Sequence, residues 1–266
     1  MGASEGGGDN LMNVILMVET FIAFILAVTI HGAVQARVAT LLGDSTSRLR
    51  GRLSLWPPRQ LSAIGVIVGI VFSVSSQGTG IGWGKPLEID ARKLRIGPNA
   101  GTIFVALSGL VFNALLGAVI LLLFNVVPGT ATVASQGDLC VNQGAYASAL
   151  QGCVQALPGW ALRIEQFFYI FALTNIAVAI LNIIPLHPLD GYHVIFALLP
   201  SRQAIGWRNF APWMELILLV IFFVIPVILA FVGIRGFSPA QLFISAPAQL
   251  IASALTPLNP ALFLRL

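Results

Sequence analysis

Four stretches of this 266-residue chain stay apolar for about the length of a bilayer crossing. A hydrocarbon core of about 30 Å takes roughly 20 helical residues, so each stretch is read as a transmembrane helix. The first runs from about Leu11 through His31 toward Leu42, broken only by Glu19 and stopped by Gly43-Asp44. The second, Thr102 to Val127, ends at Pro128-Gly129, and the third, Phe167 to Ile184, ends at Pro185 and Pro188. The fourth, Met214 to Val232, contains Pro226, which lipid helices tolerate with a kink. A fifth run, Leu61 to Val74, is too short for a full crossing and fits a re-entrant segment. The expected fold is an all-α polytopic membrane protein. With 57% hydrophobic and 9% charged residues, an ordinary soluble domain is excluded.

Charge placement orients these spans. Arg37, Arg48, Arg50, Arg52 and Arg59 follow the first, while Lys85, Arg92, Lys93 and Arg95 precede the second. Arg202 and Arg208 follow the third, and the loop from Gly129 to Pro158 holds no Lys or Arg. Eleven of the 14 basic residues then lie on one, cytoplasmic, side, with the N-terminus outside. The net charge of +4 therefore reports orientation in a cytoplasmic-type membrane, and no nucleic-acid partner is expected. Residues 1–10 carry Glu5 and Asp9 without a Lys or Arg, so they read as an extracytoplasmic tail without a cleavable signal. Residues 11–200 form the expected core, 201–235 an additional transmembrane helix, and 236–266 an apolar, Pro-rich interfacial tail. Cys140 and Cys153 share the outer loop, where they either close a disulfide or remain two small unpaired hydrophobes. Glu19 is either a functional acid at membrane depth or a carboxyl paired with a neighbouring helix. Arg48 to Arg59 either contact anionic headgroups or simply anchor the inner face.

The chemistry concentrates at two half-sites. His31-Gly32-Ala33-Val34-Gln35 lies toward the inner end of the first span, and Asn182 to Gly191, with Asp190, follows the third. A His-Glu-x-x-His helix sets two metal ligands on one face, one turn apart, with the glutamate taking a proton from metal-bound water. Here the base position holds Gly32 and the second ligand position holds Gln35. Gly32 cannot accept a proton, and a neutral amide is a far poorer zinc ligand than imidazole.

The motifs around these half-sites carry a resemblance. They are Leu42-Gly43-Asp44-Ser45-Thr46, Gly51-Arg52-Leu53-Ser54-Leu55, Trp83-Gly84-Lys85-Pro86 and Ser108-Gly109-Leu110-Val111-Phe112-Asn113. Asn175 and Asn182, leading into Pro185, Pro188 and Leu189-Asp190-Gly191, complete the series. In this order and spacing the chain resembles the site-2 protease family of intramembrane metalloproteases, in its compact prokaryotic branch. The resemblance implies a core of three helices around a zinc near the cytoplasmic face, with His31 and Asp190 as ligands and Asn113 facing the cavity. Gln35 and Asn182 are further expected cavity-lining residues, and Asn113, Asn175 and Asn182 read equally as helix-to-helix glue. The departures fall on the catalytic positions, Gly32 and Gln35, with Leu110, His187, Tyr192 and His193 also replacing family residues.

Two functions follow from this reading. The first is a proteolytically inactive homologue, acting as a membrane scaffold, accessory subunit or binding regulator beside other membrane proteins or transmembrane helices. In it, no catalytic residue and no cofactor is expected, and His31 and Asp190 are vestigial ligands that bond each other. The alternative is an active zinc metalloprotease with a non-standard site, His187 or His193 recruited to the metal and Glu88 or Asp90 as base.

Overall fold

The computed structural model describes residues 5–75, 78–86, 88–126, 131–133, 139–141, 159–234 and 237–256. Helix α1 spans Glu5–Leu41. Single turns α2 (Thr46–Leu49) and α3 (Pro57–Gln60) shape the basic loop, and α4 spans Ala63–Ser75. Helices α5 (Pro98–Val126) and α6 (Gly159–Ile183) carry the second and third apolar runs. Between them β1 (Ala131–Val133) pairs antiparallel with β2 (Leu139–Val141). The expected disulfide lies outside the described residues, which omit Cys153 and the Cys140 side chain. Then follow α7 (Asp190–Leu198), α8 (Ser201–Leu219), α9 (Ile225–Phe231) and α10 (Ala246–Leu255). Among the described residues, Asn13–Leu41, Pro98–Val126, Arg163–Ile183 and Ser201–Phe231 are long and apolar enough to cross a membrane. The protein is an all-α polytopic membrane protein.

The fourth crossing starts earlier than its apolar run. Helix α8 begins at Ser201 and carries Pro212 inside it. Apolarity marks the part of a helix that lipid can cover, not the polar turns that extend it toward water. Proline shapes this region in a second way. Val220–Val224 is a π-helical turn, closed by Ile225 N–H donating to the Val220 carbonyl, and Pro226 follows directly. A proline removes an amide donor and crowds the carbonyl four residues back, so the ladder shifts by one residue around it. Gln241–Ser245 repeats the arrangement, with Ala246 N–H donating to the Gln241 carbonyl just before Pro247.

The bundle centres on α6, whose spanning window is 72% buried against 17% for the fourth crossing. Tyr169, Ile170, Leu173, Ala177 and Leu181 of α6 meet Ala23, Phe24, Ala27 and Val28 of α1 and Leu121 and Phe124 of α5 in one apolar core. In lipid such contacts are held by close packing, which small residues promote. Gly117 of α5 illustrates this: a Cβ there would stand 2.7 Å from the Ala172 carbonyl oxygen of α6.

Helix α4 covers 13 residues, about 20 Å at 1.5 Å per residue, short of a crossing. The chain returns through Thr79, Ile81 and Trp83, all buried. Its end meets its beginning: Leu61 pairs antiparallel with Gly84, and Lys85 N–H donates to the Gln60 carbonyl at 2.7 Å. Entry and exit of this segment are therefore adjacent, the geometry of a re-entrant loop. The apolar helix 241–255 packs against α5 and α6, burying Ile244, Ala248 and Ala252, while Asn125 Nδ2 donates to the Leu255 carbonyl at 2.5 Å.

Candidate functional site

His31 and Asp190 are brought together by helices that meet only in the folded bundle. His31 lies on α1 one turn above Gln35, facing α5, and Gly109 makes that approach possible. A Cβ at Gly109 would stand 2.7 Å from both Cε1 and Nε2 of His31 and 3.0 Å from Cγ of Gln35. Asp190 is the first residue of α7, where the helix dipole and free backbone N–H groups favour a carboxylate. The chain reaches that point through the turn after α6, with Leu186 N–H bonded to the Ile184 carbonyl and Leu189 N–H to that of Leu186. His31 Nε2 then lies 2.6 Å from Asp190 Oδ2, both side chains buried.

Gln35 turns its amide away from this pair. Its Nε2 donates to the Ala106 carbonyl of α5 at 3.3 Å. Asn182 Nδ2 donates within its own helix to the Val178 carbonyl at 2.8 Å. Both line a cavity of about 20 Å³ with His31, Gly32 and Asp190. That volume accommodates about one water molecule. Asn113 takes the second of its two readings, as helix-to-helix glue. It is fully buried between α5 and α1, donating to the Ala27 carbonyl at 3.3 Å, and it is not among the cavity's lining residues. Its position on α5 faces the helix-to-helix seam instead.

Two lining residues were visible in the sequence only as part of a motif and a loop. Arg52, inside Gly51-Arg52-Leu53, is 6% exposed, and Gln60 at the end of α3 is 1% exposed. Arg52 donates from Nε to Gln60 Oε1 at 3.3 Å, from Nη1 to the Pro86 carbonyl at 2.9 Å and from Nη2 to the Lys85 carbonyl at 3.3 Å. Burial pulls its pKa down, partly offset by the facing Asp190 carboxylate; a guanidinium remains charged in proteins. A buried charge among so many backbone acceptors could only have been found from the three-dimensional contact.

The recruits named for an active site lie elsewhere. Glu88 ion-pairs with Arg50, and Asp90 with Lys93 at 3.3 Å; these acids line a separate open pocket with Thr46 and Ile89. His187 stacks edge-on against Tyr192 at 5.4 Å between ring centres, and His193 does the same at 5.2 Å. Burial pushes the His187 imidazole pKa down, with Glu215 opposing, and the His193 imidazole down to about 4. Both are held neutral near pH 7, yet neither lines the cavity at His31.

The donor set does not fit a catalytic zinc, which normally takes three protein ligands. Among the described residues no group of three His, Cys, Asp or Glu converges to hold a metal. The two candidate ligands are engaged with each other through His31 Nε2 and Asp190 Oδ2, and His31 Nδ1 is buried without the partner that a ligating histidine usually has.

Comparison with known proteins identifies the family. A protein of Bacillus subtilis (strain 168) named "Putative zinc metalloprotease YwhC" is 29% identical over 185 residues, covering 70% of this chain and 71% of its own. No solved structure matches the chain at a significant level. The model of peptidase family M50, the site-2 protease family, matches residues 19–225, well over half of the length, and the chain belongs to that family.

Proposed function

We propose that this chain is a proteolytically inactive M50 homologue, kept as a membrane scaffold or accessory subunit. The observation that carries the reading is the direct His31–Asp190 contact beside Gly32 and Gln35. Hydrolysis needs a water activated by a base, and Asp190 is the only carboxylate among the cavity's lining residues. That carboxylate is engaged by His31. The reading needs no cofactor. The fourth crossing, with Leu216, Val220, Val224, Val227 and Phe231 exposed, offers a broad apolar face to lipid or to another membrane subunit. The positive-inside rule applied to the basic loops supports an orientation with α1's N-terminal end outside.

Metal analysis of the purified protein, with cleavage of a model transmembrane substrate, tests this. The expected result is zinc well below one equivalent and no cut. Stoichiometric zinc, with a cut abolished by His31→Ala or Asp190→Ala, overturns it in favour of an active protease.

A further inference from the structure

We infer that Gln60 is a built-in plug of the vacated base position, and that Gly32 is required by the plug as well as being the site of the lost base. This deepens the inactive reading and rests on it. A Cβ at Gly32 would overlap Gln60 Oε1, approach its Cδ at 3.1 Å and stand 3.6 Å from Arg52 Nη2. The amide is not a loose side chain that could swing aside. Nε2 donates to the Arg52 carbonyl at 2.6 Å and to that of Ser54 at 3.3 Å, while Oε1 accepts from Arg52 Nε. Arg52 in turn holds the Lys85 and Pro86 carbonyls of the returning segment. The Gln60 backbone carbonyl accepts from Lys85 N–H, so Gln60 also fastens the loop to that segment directly, beside the bonds made by Arg52.

The result is a lock joining α1, the 52–60 loop and the end of the re-entrant segment. What it leaves at His31 is about 20 Å³, far below the space an extended peptide or a helix requires. Any side chain at position 32, a glutamate included, meets Gln60 Oε1 at its first carbon and must displace it. The groove is closed by a segment of its own chain.

Two measurements on the full chain in detergent test the lock. The first is a thermal cycle over Gly32→Ala, Gln60→Ala and the double variant. Gly32→Ala is expected to lower Tm by roughly 4 °C, as a chain of this size responds to a modest overpacking, and by less than half of that beside Gln60→Ala. The second is labelling of Gln35→Cys, with Cys140 and Cys153 changed to Ser, by a water-soluble maleimide. Its rate is expected to rise about tenfold on adding Gln60→Ala. Where Gln60→Ala does not fold, Gln60→Asn keeps the amide but withdraws it by one methylene, and both measurements are made on that variant. Equal Tm losses and equal labelling rates overturn the plug and leave the inactive reading standing. Bound zinc and cleavage overturn the inactive reading, whatever the labelling rate.

Discussion

His31 Nε2 and Asp190 Oδ2, 159 residues apart in sequence, meet at 2.6 Å in the interior of the bundle. The bond ties α1 to the first turn of α7, so its loss is felt by both. Removing one partner leaves a buried polar group uncompensated, which costs about 3–5 kcal/mol for a buried pair. Replacing both by apolar residues removes the desolvation penalty together with the bond. Asp190→Ala and His31→Ala should each destabilise strongly, and His31→Leu with Asp190→Leu should destabilise less than either. Unfolding in mixed detergent measures this; a double variant worse than the sum of the singles would count against the pairing.

Gly109 gives a steric test of the same contact. Its missing Cβ is the space in which the His31 ring and the Gln35 stem lie. Gly109→Ala should cost about 1–3 kcal/mol as an overpacked interior. Gly206, with nothing within 4 Å of an added Cβ, is the control, and Gly206→Ala should be neutral or slightly stabilising. A Gly109→Ala variant as stable as the control would show that α1 and α5 are not held at this distance.

Much of the fold was legible because lipid restricts it to apolar runs of a set length, and those runs ended at Gly and Pro. Even the short Leu61 to Val74 run betrayed a segment that enters and leaves on one side. Motif spacing singled out His31 and Asp190, and the structure brings their side chains into contact. What was not legible depends on contacts between distant segments. Asn113 and Gln35 are both polar residues on apolar helices, yet only Gln35 reaches the cavity, because helix rotation within the bundle decides it. Arg52 read as one more inner-face cation among several. Only the returning segment's carbonyls at Lys85 and Pro86 explain why it is buried. The apolar run of the fourth helix starts only at Met214, because Ser201 to Trp213 is too polar to register as a membrane run, although the helix itself begins at Ser201, where the sequence division 201–235 begins.

Asp44 fixes the end of α1 to the loop that follows. Its Oδ1 accepts from Thr46 N–H at 2.9 Å and from the Thr46 hydroxyl at 2.6 Å, and its Oδ2 accepts from Asp90 N–H at 2.9 Å. Burial works against the charge, but these bonds and Lys93 outweigh it and hold the carboxyl below the ordinary 3.8. A depressed folded pKa gives stability that is fully present above 3.8 and is lost as pH falls through the lower folded value. Asp44→Asn should therefore be less stable near pH 7 by about 1–3 kcal/mol. It should also lose less than the native protein when pH is lowered from about 5 toward about 3. Parallel acid profiles for the two would contradict this account.

Gln35→His asks whether the poor fit of the His31–Asp190 pair to zinc is a matter of donors alone. It sets an imidazole one helical turn from His31, so that this new ring, His31 and Asp190 would together supply the three protein ligands that a catalytic zinc takes. The approach along α5 is already open at Gly109, where Cγ of Gln35 now lies. The variant should bind zinc more tightly than the native chain by at least about tenfold, in a competition with a chromogenic chelator. Zinc binding should also withdraw Asp190 from His31, and so raise Tm in the variant but not in the native protein. Cleavage of a transmembrane substrate should stay absent, because Gly32 still supplies no base. An unchanged zinc affinity would show that the groove's geometry, and not the missing donor, excludes the metal.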